Sequence, residues 1–202
     1  MDSSITKNEP DFKFSYTLMV DTRQQANKHI LKDKYFESVG IKVVRSKLPV
    51  GDYSLMQNMS VVVDSKNSID ELVSDICGKQ HERFRNELIL AQENGIKLII
   101  LVENRGGYLD KKCTIYNPTI YDLESLHNWK NPRAFITRGG RQVYPTATKG
   151  IVLQKACMTM QLKYGVEFKF CRPDQSGAKI LELLGVKGAE NGGSKNVCKE
   201  NN

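Results

Sequence analysis

Short apolar runs separated by polar stretches predict a sheet with helices between its strands. Five runs have the length and the apolar content of buried strands: 16–20, 41–45, 53–56, 61–63 and 96–102. The run at 61–63 does not alternate with polar residues, which is typical of a central strand covered on both faces. The segment 166–170 alternates as an edge strand does, because apolar residues occupy every second position.

Apolar residues spaced three and four apart predict the helices. A modest apolar stripe predicts a helix over 22–38, which Gly40 ends. Ser68 and Glu71 match the S-x-x-E capping box, so we expect a helix to begin there, break at Gly78 and continue to Gly95. Two further helices are predicted near the end of the chain, over 153–164 and 178–184.

The order of these elements predicts one α/β domain, a mixed central sheet flanked by helices. We expect this domain over 15–184, after a flexible leader at 1–14 and before a disordered tail at 185–202. Residues 104–150 are too long for a simple connection and are interpreted as an insertion. Its aromatic residues indicate order, and TIYDLESLHNW predicts a short helix that docks through Ile120, Leu123 and Leu126.

The net positive charge of the chain favours a polyanionic partner, and most of the excess positive charge lies in the insertion. The chain has a net charge of +7, and residues 104–150 hold eight Lys and Arg against three acids, a net of +5. No apolar run reaches the roughly 20 residues of a membrane span, and the N-terminus has no apolar signal core. The five cysteines include no CxxC pair, so we expect a cytosolic protein with free thiols.

One predicted hairpin carries candidate catalytic chemistry. Pairing of 53–56 with 61–64 across the connection QNMS brings Asp52 beside Asp64, within reach of one cation. Lys66 lies two residues beyond Asp64, so both side chains point to the same face. Carboxylate oxygens suit Mg²⁺ or Mn²⁺, and a lysine there stabilises negative charge on a phosphate. On this pattern alone, ordinary solvated strand ends remain the simpler alternative.

The chain also resembles the nuclease domain of the XPF-type endonucleases, the excision-repair cross-complementation family. The resemblance rests on VDTRQ at 20–24, GDY at 51–53, VDSK at 63–66 and GKQ at 78–80, in the family's order. It continues through LIILVE and past the insertion, so that it covers 16–103 and 148–184. It implies the restriction-endonuclease-like fold and the PD-(D/E)xK arrangement of metal-dependent nucleases.

Several positions depart from the family pattern. Asp64 stands where the family has glutamate, and Ser65 stands where it has arginine, which loses a charge but keeps the backbone carbonyl. Gln24 replaces a glutamate and Lys79 an arginine. The helix-hairpin-helix module that usually follows is not seen after Leu184, which favours a compact bacterial or phage-like form.

The resemblance implies a role for each matched residue. Asp52 and Asp64 are expected to bind Mg²⁺, with Mn²⁺ as a substitute, while Lys66 assists catalysis and the Ser65 carbonyl contributes to the metal site. Asp21 is expected to be an outer metal ligand or an acceptor behind the ligands. The candidate contacts to the DNA backbone are basic residues: Arg23, Lys79, Arg83, Arg133, Arg138 and Arg141.

Other charged residues near these motifs have simpler explanations. Arg23 could equally pair with Asp21, and Asp70 could stabilise the first turn of its helix. His81 is a weak candidate for a general base. Glu103 ends the central strand and could reach the cation.

The sequence thus predicts a metal-dependent DNA endonuclease, with branched or flapped DNA as the expected substrate. The alternatives are a nuclease fold that only binds DNA or a partner subunit, and a restriction-type enzyme that recognises a sequence. DNA is the expected partner, a homodimer or heterodimer is considered, and no membrane is expected. The expected location is the cytoplasm of a bacterial or phage-infected cell, or the nucleus if the source is eukaryotic.

Overall fold

A six-stranded sheet forms the centre of the computed structural model, which describes residues 16–24 and 29–186. Its strands are β1 (Thr17–Asp21), β2 (Lys42–Ser46), β3 (Tyr53–Leu55), β4 (Asn58–Lys66), β5 (Lys97–Glu103) and β10 (Glu167–Cys171). Two small hairpins lie in the insertion: β6 (Gly107–Tyr108) with β7 (Tyr116–Asn117), and β8 (Thr137–Arg138) with β9 (Arg141–Gln142).

The sheet is mixed, as the sequence predicts. Its strand order is β10-β5-β4-β3-β1-β2, with β3 antiparallel to both of its neighbours and the other pairs parallel. The predicted central position of β4 and edge position of β10 are both confirmed. Because β1, β4 and β5 run in one direction, their carboxyl ends lie at the same edge of the sheet.

Helices cover both faces of the sheet. They are α1 (Ile30–Ser38), α2 (Ile69–Cys77), α3 (His81–Glu93), α4 (Gly150–Tyr164) and α5 (Ser176–Leu183). Helices α2, α3 and α4 pack on the face that carries Val62 and Ile100, while α1 and α5 pack on the face that carries Val63 and Leu101. Alternate residues of β4 and β5 therefore enter different cores.

Two predicted boundaries are wrong for local reasons. Helix α1 begins at Ile30, because residues 22–24 form a turn in which the backbone N–H of Arg23 donates to the Asp21 side chain at 2.7 Å. Residues 25–28 of the predicted helix lie outside the described residues. Strand β4 begins at Asn58, so the hairpin turns at Met56 and Gln57 instead of over QNMS.

The two predicted terminal segments lie almost wholly outside the described residues. The leader at 1–14 and residues 187–202 of the tail belong to the part that the structure does not describe. The tail prediction is wrong for Val186, which is buried against the core under α1 and α5. The ordered domain therefore extends at least two residues beyond Leu184.

The insertion is ordered and contributes to the core. Ile120, Leu126 and Trp129 are buried in the same cluster as Leu153 of α4, and Leu123 packs against that cluster. The predicted docking face is therefore confirmed, although its helix is only a 3₁₀ turn at Ser125–Asn128. Further 3₁₀ turns are at Pro132–Phe135 and Pro173–Gln175. In the described ranges, no helix is long and apolar enough to cross a membrane.

Replacing Gly150 with alanine should loosen the insertion from α4. A Cβ at Gly150 would lie 2.5 Å from the Trp129 carbonyl oxygen and 2.6 Å from that of Leu126, and these backbone atoms cannot move aside alone. We expect Gly150→Ala to lower the free energy of unfolding by about 1–3 kcal/mol, measured by urea denaturation. Gly107→Ala is the control, since nothing lies within 4 Å of its Cβ. Equal stability of the two variants would contradict this packing.

Candidate active site

A cleft of about 590 Å³ opens at the carboxyl end of β4, between the β3–β4 hairpin and α3. Asp52, Asp64, Ser65 and Lys66 all line it, together with Asp21. Tyr53 lies opposite Val63 in the antiparallel pair, so one residue further along Asp52 lies opposite Asp64. The hairpin therefore brings the predicted carboxylates together.

Ser65 fixes the orientation of the Asp52 carboxylate. Its backbone N–H and its hydroxyl both donate to Asp52 Oδ2, each at 2.9 Å. Both bonds end on one oxygen, which leaves Oδ1 for a ligand in the cleft. The serine that replaces arginine in the family pattern thus contributes a side-chain contact that the sequence did not reveal.

The negative charge of Asp64 opposes the ionisation of Asp52. Burial, as the largest cause, and then the negative charge of Asp64 raise the pKa of Asp52 to about 7, although the two bonds from Ser65 lower it. Asp64 itself is buried and has its Oδ2 2.7 Å from Lys66 Nζ. These contacts engage one oxygen of each carboxylate and leave the other for a ligand. The positive charge of a cation bound there would relieve the repulsion between them.

Lys66 is a buried cation held between two acids. Its Nζ lies 2.7 Å from Asp64 and 2.9 Å from Asp75 of α2, and it lies over the Phe84 ring at 5.4 Å. Burial opposes the charge, but the two carboxylates outweigh burial and raise the pKa of Lys66 well above its ordinary value. In this arrangement Lys66 is therefore held as a charged ammonium group between the two acids.

Glu87 of α3 is a third acid beside these carboxylates. Its Oε1 accepts a hydrogen bond of 2.8 Å from the backbone N–H of Gly51, the turn residue before Asp52. Burial raises the pKa of Glu87, and the charge of Asp64 raises it as well. Gly51 has φ +63°, and a Cβ there would lie 2.5 Å from Val62, so glycine is needed to present this N–H.

Both carboxylate oxygens of Asp21 accept hydrogen bonds from nearby loop residues. Its Oδ1 accepts from the backbone and from Nε of Arg23, both at 2.7 Å, and its Oδ2 accepts from the Leu48 backbone N–H at 2.7 Å. Burial would raise the pKa of Asp21, but hydrogen bonds from Arg23 and Leu48 hold it below its usual value. Arg23 pairs with Asp21 and both residues line the cleft, so the phosphate contact of Arg23 and the metal role of Asp21 stay predictions.

Glu103 lies in a different pocket from the two carboxylates. Its Oε1 is 2.6 Å from Nζ of Lys32, and both residues line a smaller pocket of about 130 Å³ beside α1. Glu103 does not line the cleft that Asp52 and Asp64 line, so its reach to a cation there stays a prediction. His81 is also engaged, since its Nδ1 lies 2.7 Å from the carbonyl oxygen of Ile76. Asp70 lies in the first turn of α2, as expected.

The predicted DNA-contacting residues fall into three groups. Arg23 and Arg83 line the cleft. Lys79 and Arg133 line a separate groove of about 460 Å³ between α2 and the insertion, where Arg133 lies over the Tyr144 ring at 6.0 Å. The remaining pair, Arg138 and Arg141, is exposed on the β8–β9 hairpin. The structure therefore does not gather all six into one surface.

The oxygen donors of the cleft fit a hard divalent cation. Such a cation takes one or two protein carboxylates and fills its other positions with water and phosphate, which agrees with the pair Asp52 and Asp64. Across 16–24 and 29–186, no group of three or more His, Cys, Asp or Glu side chains is arranged to hold a metal. The described cysteines are free.

Sequence reasoning missed Asp75, Glu87 and Lys32. Each lies on a helix at a position whose period faces the sheet, such as Glu87 between Phe84 and Leu88. A charged residue at an inward helical position was the available signal, because burial of a charge requires a partner.

Comparisons with known proteins agree with the fold. The model of the family described as the ERCC4 domain matches residues 20–184. A solved structure of XPF from Aeropyrum pernix is 21% identical with a TM-score of 0.50, covering 83% of this chain and 63% of that one. Its complex with DNA is 18% identical with a TM-score of 0.52, covering 84% and 63%. The chain therefore spans less than two thirds of those structures. No curated protein matches the chain.

Replacing Asp52 with asparagine should stabilise the protein when no divalent cation is present. Asparagine keeps an oxygen for the Ser65 bonds but removes the repulsion from Asp64. We expect a gain of about 1–2 kcal/mol, or about 2–8 °C in the unfolding midpoint. Because the pKa of Asp52 is raised from 3.8 to about 7, wild type loses stability relative to the variant as pH rises through this window.

Calorimetric scans at pH 4 and pH 8 measure this difference. Mg²⁺ should raise the midpoint of wild type and leave Asp52→Asn nearly unchanged. Glu93→Gln, which changes an exposed carboxylate at the end of α3, is the control and should show neither effect. An Asp52→Asn midpoint below that of wild type at pH 8 would contradict the electrostatic account.

Proposed function

Since the chain belongs to the ERCC4 domain family, we propose that it is a metal-dependent DNA endonuclease that hydrolyses phosphodiester bonds. Mg²⁺ is the proposed cofactor, with Mn²⁺ as its substitute, and branched or flapped DNA is the proposed substrate. The observation that carries the proposal is the cleft in which Asp52, Asp64 and Lys66 converge. Strand ends that merely face solvent would not need buried ion pairs.

The carboxylates would hold the cation against the substrate phosphate. Ser65 holds one oxygen of Asp52, and Lys66 holds one oxygen of Asp64. Each acid would therefore present its other oxygen to the cation without first having to change its side-chain conformation. The backbone carbonyl of Ser65 is the proposed third protein ligand. A divalent cation bound there would polarise the phosphate and make a water molecule more acidic.

Lys66 supplies a fixed positive charge. Two carboxylates keep it protonated, so its role is electrostatic: it orients Asp64 and offsets negative charge that develops on the phosphate. Asp75 in turn positions Lys66 from α2. This arrangement needs no protein side chain as a general base, which agrees with the engagement of His81 by a backbone carbonyl.

Basic residues would position the DNA around the cleft. Arg83 and the exposed part of Arg23 lie at the cleft itself, where they could contact the phosphates next to the cut. Arg138 and Arg141 extend from the insertion, so they would contact a more distant part of the backbone. Contacts of this kind fix the register of a duplex without recognising its sequence. A homodimer or heterodimer stays a separate prediction.

The first test is metal-dependent cleavage of labelled linear, flap, fork and four-way DNA, with Mg²⁺, Mn²⁺ or EDTA. We expect cleavage with either metal and none with EDTA. Asp64→Asn should reduce the rate by at least about 100-fold while DNA binding changes little. Lys66→Met is made together with Asp75→Asn, so that the net charge of the site is unchanged and only Asp64, the proposed metal ligand, loses its lysine; this variant should lose a similar factor.

Lys97→Met is the control for these variants. Lys97 begins β5, at the opposite end of the strand from Glu103, and its pair with Glu167 is exposed. Binding without cleavage of any substrate would instead favour a nuclease fold that only holds DNA. Cleavage at one sequence regardless of DNA structure would favour a restriction-type enzyme.

The second test concerns the insertion. Neutralising Arg138 and Arg141 together should weaken DNA binding uniformly across sequences and reduce the slope of log K against log salt by about 2. Fluorescence anisotropy at several salt concentrations measures this slope. The matched control is Lys34→Ala with Lys42→Ala, two exposed cations on α1 and β2. A slope that stays as in wild type would remove the β8–β9 hairpin from the interface.

A further inference from the structure

Lys32 is a buried lysine that no motif explains. It is only 2% exposed and lies on α1, against the face of the sheet opposite Lys66. Its Nζ lies 2.6 Å from Glu103 Oε1 and 3.2 Å from the Ser65 hydroxyl oxygen. The ring nitrogen Nδ1 of His29 is also 3.2 Å away. Burying an ammonium group costs free energy unless an opposite charge and hydrogen bonds compensate it, and these three neighbours supply that compensation.

These contacts give the hydrogen bonds a fixed direction. An ammonium group only donates, so the Ser65 oxygen must accept from Lys32. The single proton of the Ser65 hydroxyl is then directed away from Lys32, and it is donated to Asp52 Oδ2 at 2.9 Å. The chain of bonds therefore runs from Lys32 through Ser65 to Asp52.

We infer that Lys32 is a positioning residue for the cation site. Acting through the Ser65 hydroxyl, it holds Asp52 Oδ2 in place, so that Oδ1 faces the cation that the proposed function requires. The inference rests on that proposed function, because it assigns Lys32 a role only if Asp52 is a ligand.

Glu103 neutralises the positive charge of Lys32. A lone lysine behind a cation site would repel the cation, but the Lys32–Glu103 pair is buried and has no net charge. Lys32 can therefore orient Ser65 without weakening the attraction of the cleft for a divalent ion. Removing Lys32 alone would leave Glu103 buried without its partner. A change in cation binding could then come either from lost orientation of Ser65 or from the unpaired charge.

The test replaces both members of the pair and measures Mn²⁺ affinity. Lys32→Met with Glu103→Gln keeps the local net charge constant and leaves no buried charge unpaired. Free Mn²⁺ is followed by electron paramagnetic resonance during titration of each protein without DNA. We expect the double variant to bind Mn²⁺ about tenfold more weakly than wild type, as is typical when a group that orients a ligand is lost.

Two further sets of variants separate this role from general stability. Lys97→Met with Glu167→Gln removes an exposed pair of similar length and should leave the affinity unchanged. Ser65→Ala should weaken Mn²⁺ binding, and adding the Lys32 and Glu103 changes to it should cause no further loss. Ser65→Thr keeps a hydroxyl and should bind within about threefold of wild type. The unfolding midpoint of every variant is measured in parallel.

The outcomes distinguish this inference from the proposed function. If wild type binds Mn²⁺ and the Lys32→Met, Glu103→Gln variant binds it equally well, Lys32 has no positioning role, whatever the midpoint. The same conclusion follows if the Lys32 and Glu103 changes weaken binding equally with and without the Ser65 hydroxyl. If wild type neither binds Mn²⁺ nor cleaves DNA, the proposed function fails and this inference fails with it.

Discussion

The structure depends on the burial of charge at the carboxyl ends of β4 and β5. Two lysines are buried there on opposite faces of the sheet, Lys66 beside Asp64 and Asp75, and Lys32 beside Glu103. The Lys66–Asp75 pair links α2 to the end of β4, and the Lys32–Glu103 pair links α1 to the end of β5, so helix packing and site geometry depend on the same contacts. Removing one partner of such a pair typically costs about 3–5 kcal/mol, because the other charge is left buried. The stability of the site is therefore coupled to the packing of the core next to it.

The sequence predicted the parts of the site that lie on the hairpin. Strand pairing and a period of two residues are local rules, so they placed Asp52 opposite Asp64 and put Lys66 on the same face as Asp64. They could not place Asp75 or Glu87, whose contacts arise when α2 and α3 pack on the sheet. The predicted start of α1 was wrong because the Asp21 side chain accepts the hydrogen bond of the Arg23 backbone N–H and stabilises a turn there. Helix propensity does not describe such a side-chain contact.

Ser65 illustrates how a substitution can be misjudged from sequence alone. Read along the strand, it replaces an arginine of the family pattern and removes a positive charge from the site. In the folded protein Lys32 of α1 brings an ammonium group to within 3.2 Å of the same side chain, from 33 residues earlier in the chain. The serine can then bond to Asp52 while Lys32 holds its hydroxyl, but Glu103 neutralises Lys32, so the positive charge of the arginine is not restored. A motif compared letter by letter cannot show these contacts, because Lys32 is distant in sequence.

The docking of the insertion has a practical consequence. Trp129 is the only tryptophan of the chain and lies 5% exposed in the core cluster beneath α4. Its indole is an intrinsic optical reporter placed at the joint between the insertion and the domain. Its emission would move to longer wavelength whenever that joint opens, even if the sheet stays intact. Fluorescence of the unlabelled protein can therefore follow insertion docking in real time, during folding or after mixing with DNA.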